Sequence, residues 1–193
     1  EKQEFAAQND QYLERERLFM WYAAQEHEPI DVVFLGDSIT QKFEWSEVFP
    51  GLTVVNRGIG SDTTAGALAR LDSVTALSPK VVSCLLGIND ISSGRSVENI
   101  RETYAEIFDT LRSELPSVHI IVTSVLPVSK NHPLTTNRSS CSIRHLLNYA
   151  QKRMSFSWIF TTALWMRPGI FLLRMPSIWS ISPYKAICSG CAY

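Results

Sequence analysis

At 193 residues the chain is the size of one domain with room for a substantial core. A composition of 45% apolar and 19% charged residues is that of a globular protein, and a net charge of -1 argues against a nucleic-acid partner. No leader peptide is visible and the first residue is Glu1 rather than Met, so the expectation is a processed or truncated product, cytoplasmic by default, with secretion after signal removal as the alternative.

Residues 3–25 read as a helix that packs across a sheet, with Tyr12, Leu13, Phe19, Met20 and Tyr22 apolar among Glu and Arg. Glu28-Pro29 ends it, because the residue before a proline is pushed out of the helical region. The first strand is 32–36. Its uninterrupted run Val32-Val33-Phe34-Leu35 is how a strand covered on both faces reads. It leads directly into Gly36-Asp37-Ser38. Ligand and catalytic groups of open α/β sheets lie just past the carboxyl ends of strands, so Ser38 stands where a nucleophile would stand. Gly36 allows a sharp turn there.

Residues 43–49 suggest a short helix, Pro50-Gly51 a turn, and 52–55 the second strand. Asp62 or Thr63 can cap a helix over 64–76, with Leu68, Leu71 and Val74 facing inward. Pro79 precedes a third strand over 81–86. Ser96 is placed to cap the next helix, and Glu98 suits its first turn. Ile100, Tyr104, Ile107 and Leu111 recur at helical spacing along one face. A fourth strand covers 118–122, and a polar, Pro-containing loop follows over 127–140. Strands alternating with helices imply one parallel sheet, hence an α/β fold.

Of the four cysteines, Cys84 falls inside a strand and is expected as a reduced core residue. Cys188 and Cys191 form a C-x-x-C outside any βαβ context, a weak redox signal, and Cys141 has no metal-ligand pairing with histidine. No G-x-G-x-x-G or phosphate-loop pattern follows a strand, which sets a nucleotide-binding domain low.

Three stretches follow strand candidates in order: Gly36-Asp37-Ser38; Val55-Asn56-Arg57-Gly58-Ile59-Gly60-Ser61-Asp62-Thr63-Thr64; and Leu86-Gly87-Ile88-Asn89-Asp90. Together, over residues 30–135, they resemble the GDSL or SGNH hydrolases, in the branch of platelet-activating-factor acetylhydrolase subunits and bacterial acylhydrolases. The resemblance implies a flavodoxin-like three-layer α/β/α sandwich with a central parallel sheet. It also implies hydrolysis of a small acyl ester, a lipid or an acetylated carbohydrate, with no cofactor, no metal and no membrane span. Ser38 would be the nucleophile. The oxyanion hole would comprise the Ser38 N–H, a second N–H at Ser61, where the family commonly has glycine, and the Asn89 side-chain amide. Gly36, Asp37, Gly60 and Asp90 would support these groups, with the glycines of Gly58-Ile59-Gly60 permitting close approach and unusual dihedrals, and Ser61 holding a geometry that glycine finds easier. A non-catalytic module that binds an acylated sugar or lipid in the same pocket is the alternative.

The family's Asp-x-x-His is missing. All nineteen acidic residues lie at or before Glu114, and no histidine follows His145. Residues 1–114 carry a net charge of about -9 and the rest about +8, a split that asks for explanation. His27 precedes the first strand, His119 begins the fourth, and His145 lies in a helical stretch. His132, on a loop leaving a strand's carboxyl end, is the nearest substitute base. The expected single domain, 1–193, therefore has an aberrant end. Residues from about 140 to 183, rich in Trp and free of acids, resemble the family's C-terminal segment translated in another reading frame, with Ser177-Ile178 able to supply Asp and Ser180-Ile181 able to supply His. A divergent, truly apolar end is the other reading. Arg167, Pro168 and Arg174 interrupt the run before a membrane span accumulates.

Overall fold

The computed structural model describes residues 10–123 and the backbone of a two-residue strand at 159–160, all within the first of the chain's two units, Glu1–Ala163. Strand β1 (Val32–Gly36) lies between β2 (Val54–Gly58) and β3 (Val81–Leu85). Beyond β3 come β4 (His119–Thr123) and β5 (Ile159–Phe160), and every pairing is parallel. The order β2-β1-β3-β4-β5 is the flavodoxin-like doubly wound order, which reverses direction between β1 and β3. Ligands of such sheets bind past the strand ends at that reversal. Gly36 is in register with Gly58 on one side and Leu85 on the other, so the turns after β1, β2 and β3 leave the same edge of the sheet.

Strand side chains alternate between faces. Val33, Leu35, Val82, Cys84, Ile120 and Val122 enter the principal core, where they meet Ala67, Leu71, Val74, Ile100, Ile107 and Leu111. Phe34 points the other way and stacks on Trp45, with ring centroids 3.6 Å apart, and on Phe49. Covering β1 on both faces is what its unbroken apolar run requires. Cys84 is a free, fully buried thiol, as its strand position suggested.

Seven helices are described: α1 (Asp10–Ala23), α2 (Ser38–Gln41), α3 (Trp45–Val48), α4 (Thr64–Ala69), α5 (Asp72–Thr75), α6 (Ile88–Ser92) and α7 (Val97–Glu114). The periodic face of α7 is buried at Ile100, Tyr104, Ile107 and Leu111, and its cap is Ser96, whose Oγ accepts the Asn99 N–H. In α1 only Tyr12 and Phe19 are buried; Met20, read as an apolar-face position, is 40% exposed.

Two of the differences from the sequence reading bear on the site. The helix expected over 64–76 divides at Arg70 and Leu71. There the Arg70 carbonyl is taken by Ser73 Oγ at 2.8 Å, a side chain competing with the helical ladder. Strand β2 begins two residues later than expected and runs on through Asn56 and Arg57, polar residues that extended the strand past its apolar stretch. Arg57 is buried: it donates to the Ser73 and Phe19 carbonyls and lies over the Phe19 ring at 4.6 Å. Desolvation lowers its pKa to about 10. The expected loop over 127–140, His132, His145 and nearly all of the acid-free end lie outside the described residues.

Gly36 has a steric purpose rather than a conformational one. Its φ is not positive, but a Cβ there would collide with the Thr40 side chain and the Leu85 carbonyl oxygen. Gly36→Ala is therefore expected to destabilise the protein by about 1–3 kcal/mol, the usual range for overpacking. Urea unfolding monitored by circular dichroism reads this directly, and an unchanged midpoint would show that the strand end has slack.

Candidate active site

The turn after β1 is held from three directions. Asp37 caps α2, its Oδ1 accepting the Ile39 N–H at 2.9 Å, so Ser38 opens the helix as its first residue. The Asn56 amide donates to the Thr40 and Gln41 carbonyls at 2.9 and 3.2 Å, which ties α2 to β2. Trp45 Nε1 donates to the Thr40 carbonyl at 3.0 Å. Asp37 is almost fully buried, and that burial raises its carboxyl pKa; its Oδ2 has no partner among the described residues. Ser38 itself is partly exposed.

The turn after β2 starts where the Ile59 N–H donates to the Gly36 carbonyl at 3.0 Å. Its unusual backbone angle falls on Ser61, at φ 62°, and not on Gly58 or Gly60. For a residue with a side chain this conformation costs about 1–3 kcal/mol and persists only when surroundings impose it. Gly58 is needed for close approach: a Cβ there would strike the Gln41 backbone. Gly60 is less confined, its nearest neighbour being Gln41 Oε1 at 3.2 Å. Neither the Ser38 N–H nor the Ser61 N–H donates to any described residue.

The turn after β3 uses Gly87 at φ 114°, a left-handed position that suits glycine. Tyr104 pins the strand end ahead of it: its hydroxyl donates to the Leu86 carbonyl at 3.0 Å and accepts the Leu86 N–H at 3.2 Å. Asn89 then reaches back, its Nδ2 donating to the Asp62 carbonyl at 2.7 Å. An amide nitrogen carries two hydrogens, so one donor remains after that bond. Asp90 is fully buried and accepts both the Thr64 N–H and the Thr64 hydroxyl, the latter at 2.6 Å. The sequence-predicted residues of the second and third turns are thus joined directly. Ser61 and Asn89 line one cavity of about 540 Å³, with Thr63, Ser92, Ser93 and Arg95; Ser38 is not among its described lining residues.

Beneath the turns lies an ion pair. Arg70 donates through Nε and Nη2 to Asp62 Oδ2 at 2.9 and 2.7 Å, both side chains wholly buried, and Nη2 also reaches the Gly36 carbonyl at 3.3 Å. Burial pushes the Asp62 carboxyl up to about 6, against the pull of the guanidinium. Sequence reasoning missed Arg70, Asn56 and the phenol of Tyr104. Arg70 had a signal, since it shares the helical spacing of the buried Ala67 and Val74, and a charge on a core face needs a partner. Neither described histidine can serve Ser38. His119 is the first residue of β4 and His27 precedes β1, so both belong to the amino edge of the sheet. Among the described residues no cluster of His, Cys, Asp and Glu could hold a metal ion, and no helix is long and apolar enough to cross a membrane.

The chain matches the GDSL-like Lipase/Acylhydrolase family over residues 34–155. It belongs to that family. The match extends twenty residues past the end of the motif-based resemblance. A platelet-activating factor acetylhydrolase IB subunit alpha2 from Gallus gallus is 30% identical over 123 residues, covering 61% of this chain and 52% of that protein. The Homo sapiens alpha2 subunit is 27% identical over 153 residues, covering 76% and 65%. The chain thus spans roughly half to two thirds of the curated relatives it matches. Among solved structures, a GDSL-like lipase from Bacteroides thetaiotaomicron shares the fold at a TM-score of 0.60 and 22% identity, covering 74% of this chain and 75% of that one.

Removing Arg70 would leave Asp62 buried without its counter-ion. Arg70→Met is expected to cost about 3–5 kcal/mol at neutral pH. With the guanidinium gone, burial acts unopposed and the folded-state pKa of Asp62 rises further. A group whose pKa is raised on folding contributes stability below its unfolded value, and that contribution is lost as pH rises through the folded value. The variant's deficit should therefore shrink between pH 8 and pH 5, as urea titrations at the two values would reveal; a constant deficit would mean that Asp62 does not feel the loss.

Proposed function

We propose that this chain carries the nucleophile and the oxyanion hole of a serine hydrolase for short acyl or acetyl esters. Ser38 Oγ attacks the acyl carbon, the carbonyl electrons move onto oxygen, and the Ser38 N–H, the Ser61 N–H and the free hydrogen of the Asn89 amide receive that oxygen. The tetrahedral intermediate collapses to an acyl-enzyme as the alcohol leaves, and water then releases the acid. Donors fixed before charge develops are the largest single contribution in such sites. The observation that carries the reading is the pairing of Ser61 and Asn89 on one cavity wall, at the sheet edge where Ser38 opens α2, each with a hydrogen-bond donor free of described partners. Membership of an acylhydrolase family, and relatives named as acetylhydrolases, support the short acyl group. Asp37, Gly36, Gly60 and Asp90 shape the turns and take no part in the proton transfers.

The proton of Ser38 needs an acceptor, and the 193 residues contain no Asp-x-x-His. Without a base a serine hydroxyl is a weak nucleophile. The chain is therefore expected to hydrolyse p-nitrophenyl acetate slowly, with Ser38→Ala changing little, and to resist labelling by a fluorophosphonate. Fast turnover abolished by Ser38→Ala would reveal a base, with His132 the first candidate. The non-catalytic alternative, a pocket that only holds an acylated sugar or lipid, draws its support from that same missing dyad.

The region from about 140 to 183 is, in this proposal, the family's C-terminal segment in a shifted frame, which accounts for the absence of acids within it. A one-base change in the encoding DNA that restores the other frame should recover esterase activity. In that restored protein Asn89→Ala should lower the rate by about 100- to 1000-fold. A restored frame that yields no Ser38-dependent hydrolysis sinks the reading.

A further inference from the structure

We propose that Arg95 gives the site a preference for acyl esters that also carry an anionic group, a carboxylate or a phosphate. The inference rests on reading Ser61 and Asn89 as the ester-facing wall of their cavity. The remaining described lining is Thr63, Ser92, Ser93 and Arg95, so the wall offers hydroxyls, one amide and a single guanidinium, with no carboxylate among the described residues. An anion finds there one cation and several hydroxyl donors.

The backbone that carries the guanidinium is also fixed. Helix α6 ends at Ser92; Gly94 turns the chain at φ 80°; the Arg95 N–H then donates to the Asp90 carbonyl at 3.0 Å. Asp90 is itself anchored on Thr64, so the backbone of Arg95 is fixed relative to the turn that carries Ser61. Arg95 is half-buried, and its side chain has no ion pair or hydrogen bond among the described residues. The neighbouring carboxylates are already committed, Asp62 to Arg70 and Asp90 to Thr64. An arginine fork matches both carboxylate and phosphate.

Equilibrium binding tests this without turnover. Chemical-shift titration of the full-length ¹⁵N-labelled chain would compare monomethyl succinate with dimethyl succinate, and 1-acetylglycerol 3-phosphate with 1-acetylglycerol. The anionic member of at least one pair should bind about tenfold more tightly, the range of a charge-assisted hydrogen bond, and the pair that shows it names the anion. Arg95→Gln should bring the two affinities within about twofold of each other, and Arg95→Lys should keep part of the preference. Equal affinities in the parent, or a preference that survives Arg95→Gln, overturn the role of Arg95 while leaving the ester pocket in place. Failure of all four esters to shift the Ser61 and Asn89 amides overturns both.

Discussion

The buried pair of Asp62 and Arg70 is the interaction on which the site depends. Arg70 reaches the carbonyl that ends β1, and its partner Asp62 belongs to the turn after β2. The Asp62 backbone carbonyl then takes the amide of Asn89 from the turn after β3. The pair therefore touches all three turns, Arg70 through its guanidinium on one side and Asp62 through its peptide group on the other. A buried ion pair of this kind contributes little net stability, because desolvating two charges offsets most of their attraction. What it contributes is exclusivity: an alternative packing of these loops would strand a charge. Gly66 belongs to the same arrangement, since a Cβ there would strike Asp62 Oδ1.

Much of this was legible from residue order. An apolar run with no polar interruption marked β1 as a central strand, and the spacing of Ile100, Tyr104, Ile107 and Leu111 marked the buried face of α7. Ser96 was readable as a cap, and Thr63 as one of two candidates beside Asp62, because a short polar side chain before a helical pattern has a ready use there. Polar residues with long-range partners were not legible. Asn56 and Arg57 look like the end of a strand until α2, α5 and Phe19 are placed against them, and the carbonyls they donate to lie between thirteen and thirty-eight residues away. Periodicity reports which face is inside and is silent on which buried groups satisfy one another.

Glycine was legible in part. The sequence pattern suggested a sharp turn at Gly36, close approach and unusual dihedrals at Gly58 and Gly60, and at Ser61 a geometry that glycine finds easier. In the structure Gly36 and Gly58 supply room, Gly60 sits loosely beside Gln41, and the strained angle sits on Ser61. A residue with a side chain holds that angle because the Asp62 pair, the Thr63 cap and the Asn89 bond leave the loop no other course. Strain of this sort fixes the direction of the Ser61 N–H, since a relaxed loop would point it elsewhere.

The clasp of Tyr104 around Leu86 carries a consequence for the order in which the site becomes rigid. Leu86 is the residue after the last one of β3, where a peptide group would ordinarily turn to solvent. A single phenol on α7 instead satisfies both its N–H and its C=O. The Leu86 amide therefore exchanges with solvent only when α7 lifts from the sheet, and any such opening releases Gly87 and Asn89 at the same moment. Helix docking and loop order become one cooperative event, so the cavity wall that Asn89 forms is as durable as the core helix behind it.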